Sequence, residues 1–128
     1  MSENTIRILK IEVGQAPTVK EIPNTLKAMQ AEVDGLIEPF YIGGGCVAVV
    51  NEESKLNGMA PNRWLGTADI ICGPFFICGD ADEDFISITE SQIEKCNQVF
   101  GEVPAFSGAE PQLKPRSMII GFGGMGGM

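Results

Sequence analysis

Apolar and polar residues alternate along residues 5–13, as they do in a strand that buries one of its two faces. A second strand pattern at residues 18–22 follows a short break that contains Gly and Pro, so these two segments predict a β-hairpin. Further strand patterns at residues 36–42 and 46–50 flank three consecutive glycines. Such a glycine run can bind phosphate, but no Lys-Ser or Lys-Thr pair follows it, and we therefore predict a tight turn.

Two segments carry the signals of α-helices. Asn24 is a favourable N-cap residue for the first helix, and Gly35 provides its C-terminal stop. Residues 89–92 fit a capping box for the second helix, and Gly101 is expected to end it. Apolar residues recur at helical spacing in both segments, so each helix is expected to pack one face on the core.

The order of the predicted elements favours the α+β class. Two apolar strand patterns, at residues 69–72 and 75–78, lie between the helices, so strands and helices neither alternate nor segregate fully. We expect a mixed or mainly antiparallel sheet with two helices on one face. Residues 1–101 are predicted to form a single domain. Residues 102–128 form a Pro- and Gly-rich extension, and the last eight residues, rich in Gly and Met, are predicted to be a mobile tail.

The composition excludes several classes of function. The chain has a formal net charge of −8 and no histidine. Acidity disfavours broad contact with nucleic-acid phosphates, and the lack of histidine excludes Ser-His and Cys-His nucleophiles. We expect a non-catalytic protein that has no cofactor, makes no direct contact with nucleic acid and does not enter a membrane, since no apolar run approaches ~20 residues. Residues 1–4 lack the features of a signal peptide, which predicts a cytoplasmic protein.

Two groups of residues that often bind metals have simpler interpretations. The cysteines, Cys46, Cys72, Cys78 and Cys96, form no C-x-x-C pair and occupy apolar positions. They are predicted to be buried free thiols rather than disulfides. The acidic run at residues 80–84 resembles the start of a calcium loop, but the Gly and Glu that an EF-hand requires are replaced by Phe and Ser. We expect a solvated acidic turn there and no metal site.

The polar segment at residues 51–64 is the best candidate for a binding site. Its Asn-Gly pair is a strong hairpin signal, so one interpretation is a solvated hairpin tip. That interpretation does not explain the polar residues at both ends, where amide and carboxylate groups can bind polar ligands, Arg can bind anions and Trp can stack on a base. The candidate ligand-binding residues are Asn51, Glu52, Lys55, Asn62, Arg63 and Trp64. In the structural alternative, Arg63 pairs with Glu52 or Glu53 and pins the hairpin.

Several short motifs, taken in order, carry a resemblance to a known family. They are Asn51-Glu52-Glu53, Lys55, Pro61-Asn62-Arg63, Asp69-Ile70-Ile71 with Gly73, Gly79-Asp80, and the two helix starts at residues 24–26 and 87–93. Over about residues 6–100 the chain resembles the domain-of-unknown-function 3846 family of small phage and bacterial mobile-element proteins. Pro74 and the sequence after residue 101 depart from that family's pattern. The family name carries no activity, so the resemblance implies a setting, in the cytoplasm of a bacterial host, and no mechanism.

Three functions are consistent with these observations. The leading hypothesis is a non-catalytic phage or mobile-element accessory protein that sequesters a nucleotide-like small molecule, such as a host defence signal. The alternative is an acidic decoy that mimics nucleic acid and occupies the binding surface of a basic host protein, such as a restriction protein. The third is a minor enzyme that acts through Glu52. The sequence leaves the oligomeric state open, including a homo-oligomer.

Overall fold

The computed structural model describes residues 4–66, 69–82 and 84–107 of the chain, and it has eight strands and two helices within them. The strands are β1 (Thr5–Ile11), β2 (Thr18–Pro23), β3 (Ile37–Gly43), β4 (Cys46–Asn51), β5 (Pro61–Leu65), β6 (Asp69–Cys72), β7 (Phe75–Ala81) and β8 (Asp84–Ile86). The helices are α1 (Leu26–Val33), between β2 and β3, and α2 (Glu90–Phe100), after β8. The protein is therefore an α+β protein, as predicted.

The strands form one large sheet and one small one. In the large sheet the order is β2-β1-β7-β4-β3, and β8 pairs with the end of β7. The small sheet is the hairpin of β5 and β6. Every strand pair described is antiparallel, which confirms the mainly antiparallel expectation. The strands β4 and β7 take central positions because their nearly continuous apolar sequences are buried on both faces.

The two helices lie on opposite faces of the large sheet, so the expectation that both cover one face is wrong. Side chains alternate along the central strands: Val47 and Val49 of β4 pack with α1, whereas Ala48 and Val50 pack with α2. The hairpin β5–β6 contributes Ile71 to the α2 side. Because both faces of β4 and β7 are apolar, each face must be buried by another element. Helices on one side only would leave the other apolar face exposed to solvent.

The helix ends agree with the predicted signals to within one residue. The predicted capping box of α2 is present, with Thr89 as the N-cap residue and Gln92 as its partner, and the helix ends before Gly101. The N-cap of α1 is Thr25, whose hydroxyl accepts from the Ala28 amide, and not Asn24 as predicted. The left-handed residue that ends α1 is Asp34, with φ of 62°, one position before the predicted glycine stop.

The segment after β4 differs from the predicted hairpin. Residues 52–58 form a turn, but the following strand β5 pairs with β6 and not with β4. The predicted break at Gly73-Pro74 is confirmed, since β6 ends before it and β7 begins after it. The start of the extension is described as far as residue 107, whereas the predicted mobile tail lies outside the described residues. In the part of the chain that is described, none of the helices has the length and apolar character needed to cross a bilayer.

Candidate functional site

Asn51, the first of the predicted ligand-binding residues, is buried and hydrogen-bonded to other parts of the protein. It is 1% exposed. Its Nδ2 donates to the carbonyl oxygens of Val33 at 2.9 Å and Asp34 at 3.1 Å, and its Oδ1 accepts from the Glu53 amide at 2.7 Å. These bonds satisfy carbonyl groups at the C-terminal end of α1, which an isolated helix leaves without partners. Asn51 thus joins α1 to the end of β4.

Arg63 is buried as deeply, with 2% of its surface exposed. Its Nε donates to the Phe100 carbonyl at 2.8 Å, and its Nη2 donates to the Gln15 carbonyl at 2.5 Å. Its Nη1 donates to the carbonyl and side-chain oxygens of Asn62 at 3.1 and 2.8 Å. These acceptors are all neutral, so carbonyl dipoles solvate the guanidinium, and burial lowers the pKa of Arg63 from its ordinary value. Arg63 therefore joins β5 to the end of α2 and to the turn between β1 and β2.

Asn62 and Lys55 also have internal partners. Asn62 Nδ2 donates to the Ile11 carbonyl at 3.0 Å and to the Gly73 carbonyl at 2.8 Å. Lys55 Nζ lies 2.5 Å from Asp69 Oδ1, and the Lys55 side chain is only 2% exposed. Together with Asn51 and Arg63, these two residues form what we call the internal polar set: Asn51, Lys55, Asn62 and Arg63. The geometry gives all four a structural role.

The predicted site residues do not converge on one ligand-sized surface. Asn51 bonds to α1 on one face of the sheet, whereas Arg63 bonds to the end of α2 on the other. Glu52 and Glu53 are both exposed, and the described partners of Arg63 are Phe100, Asn62 and Gln15 rather than either glutamate of the structural alternative. Trp64 is half-buried, and its ring centroid lies 6.0 Å from that of Phe106 in the extension.

A different region forms an open cleft of about 610 Å³. One side is the end of β3 with the following glycine turn, residues 40–44, and the other side is α2. Leu65 and Gly66, at the end of β5, close a third side. Apolar side chains dominate the walls, among them Phe40, Leu65 and Val99, and Val99 is 70% exposed. Aromatic and aliphatic groups around a concavity are typical of a ligand pocket.

The cleft has a small number of polar groups at its edge. Gln92 Nε2 donates to the carbonyls of Gly44 at 3.0 Å and Gly45 at 3.3 Å, which ties the first turn of α2 to the glycine turn. The three glycines have φ values of 90°, 65° and 74°, a conformation that other residues rarely adopt. Lys95, one turn further along α2, places a cation at the same cleft. The predicted tight turn is thus confirmed, and it also forms part of a pocket wall.

Two thiols lie in the cleft wall. Cys46 begins β4 and Cys96 lies in the middle of α2, and both pack in the same core cluster. Cys46 Sγ donates to the Gly44 carbonyl at 3.8 Å. Burial raises the pKa of Cys46, although the Cys96 side chain and the Lys95 ammonium oppose this effect. Burial also raises the pKa of Cys96 to about 12. Both thiols are therefore protonated near neutral pH, so either thiol reacts slowly as a nucleophile at that pH.

Sequence reasoning missed the cleft because its residues resemble ordinary core residues. Tyr41 and Phe40 belong to a strand pattern, and Cys96 and Phe100 belong to the apolar stripe of α2. One signal was available: Val99 lies beside that stripe, next to Cys96 and Phe100, where a polar residue is expected. The described residues contain no cluster of three or more side chains suited to a metal ion.

Comparison with known proteins gives one match. Residues 6–101 match the profile of the family described as Domain of unknown function (DUF3846), and the chain belongs to that family. No curated protein matches the chain, and no solved structure does.

Proposed function

We propose that this member of the DUF3846 family is a non-catalytic binding protein that holds a nucleotide-like small molecule in the cleft between β3 and α2. In a phage or mobile-element setting, such a protein would remove a host signalling nucleotide from solution. The observation that carries this function is the cleft itself, since about 610 Å³ lies within the range of small-molecule pockets.

The cleft walls suit the base of a nucleotide. Phe40 lies on the α2 side of β3 and lines the cleft, so its ring is placed to stack on a planar base. Val99 and Leu65 provide apolar surface on the other walls. Burial of exposed apolar groups under a ligand is favourable by roughly 25 cal/mol per Å².

The edge of the cleft suits an anionic group. Lys95 offers an ammonium group that can bind a phosphate as a point charge. The backbone of Gly43 and Gly44 lines the same cleft, and added Cβ atoms there would meet no neighbouring atom, so the glycines leave room for close approach. This cation lies in an acidic protein of net charge −8, which favours a small ligand over a polyanion.

The groups in the cleft favour binding over catalysis. Histidine is the most common general base beside a catalytic nucleophile, and the chain has no histidine. The thiols of Cys46 and Cys96 have raised pKa values and remain protonated. Glu52, the residue considered for acid-base chemistry, lies outside the cleft.

The structure offers less support for an acidic decoy. Mimicry of nucleic acid needs carboxylates spaced along one face. Exposed carboxylates occur on both sides of the sheet, since Asp34 follows α1 and Glu94 lies on α2. Among the described residues, exposed carboxylates are therefore divided between the two faces rather than collected on one, which disfavours recognition by a nucleic-acid-binding surface.

A thermal-shift screen tests the proposed function. Mononucleotides, cyclic dinucleotides and ADP-ribose derivatives are added to the wild-type protein and to Val99→Ser. A ligand present at ~100 times its dissociation constant stabilises the folded state by about 2.7 kcal/mol. We expect at least one nucleotide to raise the midpoint of the wild type, and the shift to shrink in Val99→Ser.

The matched control is Val19→Ser, which alters an exposed valine of β2 away from the cleft. It should retain the full ligand-induced shift. Absence of a shift with every nucleotide, together with capture of a basic host protein, would favour the acidic decoy instead.

A further inference from the structure

The two thiols of the cleft lie on different elements, Cys46 on β4 and Cys96 on α2, and both belong to the core between them. Cys46 is 6% exposed and Cys96 is 5% exposed, and the pKa of each thiol depends on the other, which places the two side chains close together. Three side chains of α2 are buried against the sheet, and Cys96 is the middle one, between Ile93 and Phe100. A covalent bond at this position would fix the helix at its centre.

Both thiols also line the cleft, so a small oxidant that enters the cleft can reach them. The other cysteines differ in this respect. Cys72 and Cys78 are 1% and 0% exposed and do not line the cleft. Cys78 packs on the α1 side of the sheet, opposite to Cys96. The fold therefore places one pair of thiols in the cleft wall and encloses the other two thiols in the interior.

We propose that Cys46 and Cys96 form a reversible disulfide, with hydrogen peroxide as the oxidant, that fixes α2 against β4 and regulates ligand entry to the cleft. This regulatory role rests on the proposed function. A disulfide brings its two sulfur atoms to about 2.05 Å, closer than two unbonded thiols, so the bond draws α2 toward β4 and narrows the space between them.

The reaction proceeds in two steps. The Cys46 thiolate attacks peroxide, the O–O bond breaks, and the products are a sulfenic acid and hydroxide. The Cys96 thiolate then attacks the Cys46 sulfur and displaces hydroxide, which forms the S–S bond. Overall, two thiols lose two electrons and two protons, and one peroxide is reduced to two waters. Because burial raises the pKa of both thiols, the reaction is slow near neutral pH and accelerates as the pH rises.

Tryptic mapping detects this bond without any ligand. Cleavage after Lys and Arg places Cys46 in peptide 28–55, Cys96 in peptide 96–116, and both Cys72 and Cys78 in peptide 64–95. The folded protein is treated with peroxide, remaining thiols are alkylated, and the digest is analysed by mass spectrometry. We expect peptides 28–55 and 96–116 to be joined, and a reductant to separate them.

Two variants sharpen this test. Cys96→Ala should abolish the joined peptide, whereas Cys72→Ala, which truncates a buried thiol outside the cleft, should retain it. If Cys96→Ala does not fold, the wild type and Cys72→Ala still decide the question. Links that involve peptide 64–95 instead, or no joined peptide from the folded protein, would overturn the proposed disulfide.

A second measurement tests regulation. The affinities of cyclic di-AMP and ADP-ribose are compared between reduced protein and protein in which the pair is joined. We expect affinity to fall by about fivefold or more, the lower end of typical coupling between two sites. Equal affinity in the two states would overturn the regulatory role and leave the proposed function intact. Absence of binding of both probes to the reduced protein, together with no thermal shift from any nucleotide of the screen, would overturn the proposed function, and the peptide map would still report on the disulfide.

Discussion

The internal polar set and the cleft reverse the usual relation between residue type and location. Asn62 and Arg63, which have the chemistry of a binding site, are 1% and 2% exposed and bond to the backbone of neighbouring elements. Val99, which has the chemistry of a core residue, is 70% exposed at the cleft, and Phe40 and Leu65 line the same cleft. The first region holds the elements together, and the second region has surface to offer a ligand.

This difference shows how elements that lie outside the large sheet are joined to it. The hairpin β5–β6 and the end of α2 do not pair with the large sheet, so side chains must satisfy the backbone groups at their junctions. Arg63 can donate hydrogen bonds at three places because its guanidinium has five donors in a fixed plane. Polar residues clustered in sequence can therefore mark a junction between elements as readily as a ligand site.

The largest effect is expected from Arg63→Ala. Truncation leaves the carbonyls of Phe100 and Gln15 and the side chain of Asn62 without their donor, and it also leaves a cavity. We expect a loss of about 3 kcal/mol or more in the free energy of unfolding, measured by urea denaturation. The control is Arg7→Ala, which removes a pair with the 89%-exposed Glu90 side chain and should cost at most ~1 kcal/mol. Equal, small losses in both variants would return Arg63 to the list of ligand-binding residues.

A smaller loss is expected from Asn51→Ala. This change removes the donors to Val33 and Asp34 at the end of α1, and we expect it to cost roughly 1–3 kcal/mol. Asn97→Ala, on the exposed side of α2, should change stability by no more than about 0.5 kcal/mol. If urea denaturation gives the same midpoint for both variants, the contacts of Asn51 do not join α1 to β4 as described.

The pH dependence of stability tests the contribution of a partly buried ion pair, that of Glu32 with Lys10 and Lys20. Burial raises the pKa of Glu32, but its ion pairs with Lys10 at 2.6 Å and Lys20 at 2.8 Å outweigh burial and lower that pKa below its ordinary value of 4.5. A lowered pKa in the folded state gives stability that is present above pH 4.5 and is lost as the pH falls through the folded-state value. Urea denaturation across this range should show a steeper decline below pH 4.5 for the wild type than for Glu32→Gln. Parallel curves would contradict the contribution of this contact.

The smallest effect on stability is expected in the cleft. Val99→Ser alters a side chain that is 70% exposed, so its free energy of unfolding should lie within about 0.5 kcal/mol of the wild-type value. Its nucleotide-induced thermal shift should nevertheless decrease. A destabilisation of several kcal/mol would show that Val99 belongs to the core, and the contrast between the two regions would then fail.

Local signals in the sequence predicted the elements better than their arrangement. The capping box at Thr89 and the break before β7 depend only on neighbouring residues, and both were correct. The placement of the helices on opposite faces depends on which strands become central, and the strand patterns did not determine that order. The hairpin signal at Asn57-Gly58 was misleading because β5 pairs with β6. The cleft was missed because the exposure of Val99 beside β3 depends on packing between distant segments.

The claim that the cleft, and not the internal polar set, binds the ligand can be tested by one titration. Amide chemical shifts of the isotope-labelled protein are followed while the nucleotide with the largest thermal shift is added. We predict that the resonances of Tyr41, Gly44 and Val99 move in proportion to occupancy, while those of Asn51 and Asn62 stay near their free positions. Large shifts at Asn51 and Asn62 with an unaffected cleft would contradict this assignment.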